Sequence, residues 1–252
     1  MDLGYGIAKE IDSPELASLI LGGRAFNASY GGDPEGGLDY ALAAVDHAER
    51  GAPTRMEWTQ QPGVGPGAEI LGDDLTGRRI VELGCGAGHN TAHLAAVGAR
   101  AIGVDRSAGQ IRRAIGHYRH TGALFVHGSA LIHLTRSAVP LHAVVSVFGA
   151  VGLTEPTRLL ASASARLTPG GILAFAVPHP QRTGTLTRNP ITRESVDLPG
   201  GSQTTVERWE LDPAGWSRAL NRSGLAVIAV EHYFAPVDAR WPTTLLITAR
   251  KP

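Results

Sequence analysis

The segment Val81-Glu82-Leu83-Gly84-Cys85-Gly86-Ala87-Gly88-His89-Asn90 sets three glycines at alternate positions, after an apolar run and before a helical pattern. Glycine lets a backbone turn sharply and lets a ligand approach without meeting a Cβ. The helix that follows offers free amide donors to a ligand's polar groups. In a doubly wound sheet this turn falls at the carboxyl end of the first strand, where ligands bind. A dinucleotide fold wants G-x-G-x-x-G, which would need glycine at His89. This chain has Gly84, Gly86 and Gly88 instead, with an acid, Glu82, two residues upstream. A second acid, Asp105, closes the next apolar run about 20 residues on, where a carboxylate reaches ribose hydroxyls. That spacing alone fits NAD as well, so Asp105 speaks for a nucleoside and not for its chemistry.

Other reactive side chains form weaker patterns. Cys85 is the single cysteine and reads as a small residue of the loop, since no base motif accompanies it. His89 and His93 share one helix face, but the zinc-protease pattern needs Glu where Asn90 stands, and no carboxylate or cysteine cluster completes a metal site. His117 and His120 sit on an otherwise solvated helix, so no metal is expected. His179 differs. It follows an apolar strand in Val177-Pro178-His179-Pro180, at the ligand edge of the sheet, where an imidazole is expected to act as a base toward a substrate hydroxyl or ammonium or to bind it. Phe26, Tyr30, Trp58 and Trp209 are aromatics suited to an apolar cap.

The elements that position these groups follow from periodicity. Strands are expected at 79–83, 101–104, 124–126, 141–148 and 172–177, and helices at 89–97, 108–119 and 155–167. The apolar run at 141–148 suits a strand buried on both faces. Strand and helix alternating through short turns imply right-handed crossovers and a parallel sheet. Before this core, the Gly-rich zone 1–78 carries helical patterns at 14–21, 38–50 and 68–75. After it, 179–210 is a long insertion with a hairpin at 195–198 and 204–209, and insertions of this length are more often functional than idle. Asp212-Pro213 opens a helix closed by Gly224, and strands follow at 225–231 and 244–249.

Composition narrows the class. The 252 residues are 43% hydrophobic, enough for one sizeable core with a cap, so a single domain 1–252 is expected. Formal net charge is zero and no basic run exists, which argues against nucleic acid as a partner. No stretch of about 18 apolar residues suggests a membrane span, and Met1–Glu10 has no apolar core of a signal peptide. With one cysteine, a cytoplasmic location is expected. Oligomeric state is not legible.

Gly-x-Gly-x-Gly with an upstream acid resembles motif I of the class I S-adenosylmethionine-dependent methyltransferases. Gly103-Val104-Asp105-Arg106-Ser107, Ser146-Val147-Phe148-Gly149 and Leu167-Thr168-Pro169-Gly170-Gly171 extend the resemblance over about 70–250. It implies an α/β fold: a Rossmann-like, mostly parallel seven-stranded sheet with a reversed final hairpin, helices on both faces, an N-terminal helical cap and an insertion after strand five. It implies S-adenosylmethionine as cofactor, held by Glu82, Gly84, Cys85, Gly86, Gly88, Asp105, Arg106, Ser129, Ala130 and Ser146. One position departs: where many members carry an Asp that bonds the adenine amino group, this chain has Ser129. The Asn/Asp-Pro-Pro-Tyr/Phe signature of base-methylating enzymes is absent after strand four. The implied activity is methyl transfer by in-line displacement to a small-molecule acceptor, in specialised metabolism. Tyr30, Phe148 and Trp209 are expected on the acceptor side and His179 as the base. Motif I reports binding and not transfer, so a decarboxylase or cyclase on the same cofactor, or a non-catalytic cofactor-binding subunit, are the alternatives.

Overall fold

The computed structural model describes residues 51–185, 189–197, 203–234 and 239–252. The expected helices before residue 51, with Phe26 and Tyr30, lie outside the described residues. The main compact unit comprises 52–193 and 207–252, and 194–206 groups outside it. A seven-stranded sheet runs in the order β3-β2-β1-β4-β5-β9-β8, where β1 is Arg79–Leu83, β2 Arg100–Asp105, β3 Leu124–His127, β4 Leu141–Val147, β5 Leu167–Pro178, β8 Ala226–Tyr233 and β9 Thr244–Arg250. The first five are parallel, and β9 runs antiparallel to both β5 and β8. The order reverses between β1 and β4, which makes the crevice above their carboxyl ends the natural ligand site. The insertion's strands, β6 (Ile191–Asp197) and β7 (Gln203–Trp209), pair as a separate two-stranded sheet.

Central strands are apolar on both faces because helices cover both. Val81 and Leu83 of β1 join one core with Leu134, Leu160, Phe175, Trp216 and Ile247, while Ile80 faces the other with Met56, Trp58, Leu71, Leu94 and Leu246. Each such large side chain contributes roughly 1.5–3 kcal/mol on full burial, so the sheet is fixed in register by its own pleat. The helices are α1 (His89–Ala96), α2 (Ala108–Tyr118), α3 (Ala130–Arg136), α4 (Ala150–Leu153), α5 (Pro156–Arg166) and α6 (Pro213–Arg222). Ser107, Glu155 and Asp212 cap α2, α5 and α6 by accepting first-turn amides. Among the described residues no helix is long and apolar enough to cross a membrane.

Three local expectations change. The helix expected at 68–75 is a short 3-10 turn, Ala68–Leu71, ended by Gly72 at φ 139. Helices α3 and α4 had no sequence expectation: α3 buries only Ala130 and Leu134, and α4 is a single turn, too little for a visible period. Strand β5 begins at Leu167, since Leu167 pairs with Leu141 before a register shift carries the pairing to Ala143 and Ile172. The Leu167–Gly171 turn is therefore an irregularity within that strand.

Candidate functional site

The loop between β1 and α1 is tied down on one side. Gly84 N–H and Cys85 N–H both donate to the Val104 carbonyl, at 2.7 and 3.1 Å. A Cβ on Gly84 would stand 2.7 Å from Ala150 N and from Gly149 Cα, and one on Gly149 would stand 2.5 Å from the Leu83 carbonyl oxygen. The two glycines let the backbones of the β1–α1 and β4–α4 turns touch. A Cβ on Gly88 would meet Phe125 and Ala114 at 2.6 and 2.8 Å. Gly86, at φ 53, is different: its Cβ would meet nothing within 4 Å. Packing accounts for Gly84 and Gly88, whereas Gly86 faces open space.

Beneath that space lies Asp105. Its Oδ2 accepts the Gly86 N–H at 2.9 Å and its Oδ1 the Ser107 N–H at 2.8 Å. Each carboxylate oxygen keeps a further lone pair for a ligand hydroxyl. Glu82 is buried on the α1 side, where Thr91 Oγ1 donates to it. Burial pushes its carboxyl up to about 7, against the hydrogen bonds from Thr91 and Asn90 and with help from the Asp105 charge. Cys85 is buried too, and burial with the Glu82 and Asp105 charges pushes its thiol far above the usual range, so no thiolate is on offer. Its side chain packs toward Gly103, where a Cβ would approach Sγ to 2.8 Å.

The remaining sequence-predicted residues separate by role. Ser129 is exposed at the N-cap of α3 and its side chain makes no capping bond, while the adjacent Ala130 is buried against the core. Arg106 holds His127 through its carbonyl, 3.1 Å from Nε2. Ser146 is fully buried, and its hydroxyl donates to the Leu83 carbonyl at 2.8 Å and accepts the Val151 N–H at 3.3 Å. It joins β1 to α4. Among the described residues, Phe148 is the one non-glycine residue at positive φ, 48°. Such strain in a bulky residue at a sheet's ligand edge marks functional positions. Trp209 packs instead on the core beside Leu211. Trp58 is fully buried, with its indole N–H donating to the Gly67 carbonyl at 2.9 Å. Tyr30 lies outside the described residues.

His179 is placed differently from a base facing a cleft. It is 1% exposed; Nδ1 accepts the Gln181 N–H at 3.1 Å, and Nε2 lies 2.8 Å from His232 Nδ1. Burial, then the neighbouring His232 ring and the Arg182 charge, push it down to about 4. Arg182 also donates to the His179 carbonyl and forms a two-pronged pair with buried Glu210, at 3.0 and 2.7 Å. Sequence reading missed His232, Arg182 and Glu210. It also missed Asn90, whose amide pairs both the N–H and the C=O of Glu57 at 2.9 Å and so ties that segment to α1 beside the loop. No cluster of His, Cys, Asp and Glu that would hold a metal exists among the described residues. A cavity of about 730 Å³ opens at the opposite, amino edge of the sheet, lined by Asp73, Arg78, His142 and Gly170 among others. It is remote from the glycine loop and shares none of its residues.

The seven-stranded sheet and the glycine loop at its switch point are similar to those of the class I S-adenosylmethionine-dependent methyltransferases. Residues 80–171 match the family described as methyltransferase domain. No curated protein matches the chain. Among solved structures, an S-adenosylmethionine dependent methyltransferase from Mesorhizobium loti superposes with a TM-score of 0.54 at 24% identity, over 70% of this chain and 92% of that one. The glycopeptide N-methyltransferase MtfA, complexed with sinefungin, gives 0.54 at 18% identity over 70% and 81%. Magnesium protoporphyrin IX methyltransferase from Synechocystis gives 0.50 at 13% over 71% and 72%. At these identities the superpositions establish the shared fold.

Proposed function

We propose that this chain, acting as a single cytoplasmic methyltransferase domain, transfers the methyl group of S-adenosylmethionine to a small-molecule acceptor of specialised metabolism. The observation that carries the reading is Gly86, a glycine with open space where its Cβ would stand and the Asp105 carboxylate bonded to its amide. A ligand backed by that loop fits the donor set. Asp105 has lone pairs left for ribose hydroxyls. The turn from Gly84 to Gly88 exposes backbone to the amino-acid end of the cofactor. Ser129 and Ala130 at the start of α3 are suited to adenine, and Ser129 accepts its amino group without charge. Glu82, Cys85 and Ser146 support the loop from behind, and Arg106 flanks Asp105. The bound sulfonium supplies an activated methyl group, so the residues here mainly align the acceptor in line and exclude water. Phe148, held in a strained backbone at the end of β4, is the apolar wall on the acceptor side. The naming of fold neighbours for a glycopeptide and a porphyrin supports an acceptor that is not a nucleic acid.

The test is turnover of methyl-labelled S-adenosylmethionine with a pool of small metabolites. The expected result is label in one acceptor, matched by S-adenosylhomocysteine. Cofactor binding with no S-adenosylhomocysteine formed would point instead to decarboxylation, cyclisation or a binding subunit.

A further inference from the structure

The carboxyl ends of β4, β5 and β8 and the amino end of β9 are stitched into one line. Phe148 N–H, after β4, donates to the Ala176 carbonyl of β5 at 2.8 Å; His179 N–H, after β5, donates to the Thr243 carbonyl at 2.8 Å; and Thr243 N–H donates to the Tyr233 carbonyl of β8 at 2.9 Å. His232, the residue before Tyr233, is exposed on this edge, and its ring centroid lies 5.0 Å from that of His179.

The hydrogen bonds in this cluster have only one consistent direction. The Gln181 N–H points at His179 Nδ1, so Nδ1 accepts and carries no proton. Burial and the Arg182 charge keep the His179 ring neutral, which leaves its single proton on Nε2. That Nε2–H points at His232 Nδ1 across 2.8 Å, so this nitrogen also accepts. A neutral His232 must then carry its proton on Nε2, on the outer side of the pair. The arrangement is held from behind: Arg182 donates to the His179 carbonyl and is itself fixed by Glu210.

We propose that His232 presents a fixed Nε2–H donor to an oxygen of the methyl acceptor, and that His179 is the positioning residue that sets its tautomer. The proposal rests on the reading above for the identity of the bound molecule, and it narrows the acceptor to compounds that carry a carboxylate or carbonyl oxygen. It also gives the buried histidine a task other than taking a proton. With Nδ1 held by Gln181 and Nε2 donating, His179 has no lone pair for an acceptor nucleophile.

Nitrogen-resolved NMR of the histidine rings tests this on the full chain, with benzoate, benzamide and benzylamine as probes. In the wild type, His232 should carry its proton on Nε2, and its ring signals should move on adding benzoate, move less with benzamide, and stay still with benzylamine. His179→Gln keeps an N–H donor in place and should preserve the tautomer. His179→Phe removes it and should give a tautomer mixture, with benzoate dissociation raised about tenfold. If that variant does not fold, exposed His232→Phe serves instead and should raise the benzoate dissociation constant about tenfold in calorimetry, unchanged affinity overturning the proposal. A wild-type His232 protonated on Nδ1, a tautomer unaltered in folded His179→Phe, or His232 signals unmoved by benzoate would each overturn the proposal. Calorimetry with S-adenosylmethionine separates the two readings. Its failure would strike the proposed function and leave the tautomer result standing, whereas normal cofactor binding with no benzoate response would strike only the present inference.

Discussion

The carboxyl ends of β1 and β4 are held by backbone packed directly on backbone, whereas at the carboxyl ends of β5 and β8 a side-chain network is added to the backbone hydrogen bonds. In the first region Gly84 and Gly149 approach so closely that neither has room for a Cβ, and the Ser146 hydroxyl stitches the two turns together. In the second, His179, His232, Arg182 and Glu210 form a hydrogen-bonded chain. A backbone-packed turn is rigid and tolerates almost no substitution, which suits a loop that must cradle the same cofactor in every turnover. A side-chain network can be re-specified one residue at a time, which suits the part of a site that selects an acceptor.

The sharpest break of this comparison is Gly149→Ala. Its Cβ would press on the Leu83 carbonyl from 2.5 Å, and backbone cannot yield as a flexible side chain does. A stability loss of about 3 kcal/mol is expected in chemical denaturation, together with lost cofactor binding. Gly86→Ala is the counterpart. With nothing within 4 Å it should cost only the roughly 1–2 kcal/mol of a left-handed alanine, yet weaken cofactor binding. Equal stability losses in the two variants would erase the distinction between packed and ligand-facing glycines.

Glu82 gives the next effect. Its folded carboxyl sits at about 7, above the ordinary 4.5. The neutral form is therefore the one the fold favours. Its contribution is fully present below about pH 4.5, declines as pH rises through about 7, and is level beyond. The span amounts to roughly 3 kcal/mol. Glu82→Gln should flatten this stretch of the stability–pH curve, and an unchanged slope would remove Glu82 as its source.

Smaller effects separate the ligand-facing groups. Asp105→Ala should weaken S-adenosylmethionine by about one to two decades, as expected for a charge-assisted contact of roughly 1.5–3 kcal/mol. Glu155→Ala is the control. Its carboxylate caps α5 by accepting the Thr157 and Arg158 amides, so it should lower stability by about 1 kcal/mol and leave cofactor affinity alone. Ser129→Ala should lower cofactor affinity least, by about fivefold, the value of one neutral hydrogen bond.

The two regions also differ in how much of them could be read from the sequence. Strand β1 falls at the expected residues because its apolar residues Ile80, Val81 and Leu83 run straight into Gly84, and the glycine loop is legible because Gly84 and Gly88 have no room for a Cβ. Gly149 is harder to see, since its partner is backbone 65 residues away in a turn of ordinary sequence. The histidine pair joins residues 53 apart and the Arg182–Glu210 pair residues 28 apart, and no local period connects either. A side chain's type is legible while its direction is not. Ser146 turns inward to the Leu83 carbonyl, and Trp209 rests on the core next to Leu211.

The central claim is that the open face of the glycine loop holds S-adenosylmethionine. Isothermal calorimetry of the folded chain tests it directly, with S-adenosylmethionine, S-adenosylhomocysteine and NADPH titrated separately. Saturable binding of both sulfur nucleosides and none of NADPH is the predicted result. A folded chain that binds neither sulfur nucleoside, or that binds NADPH in their place, would contradict the account.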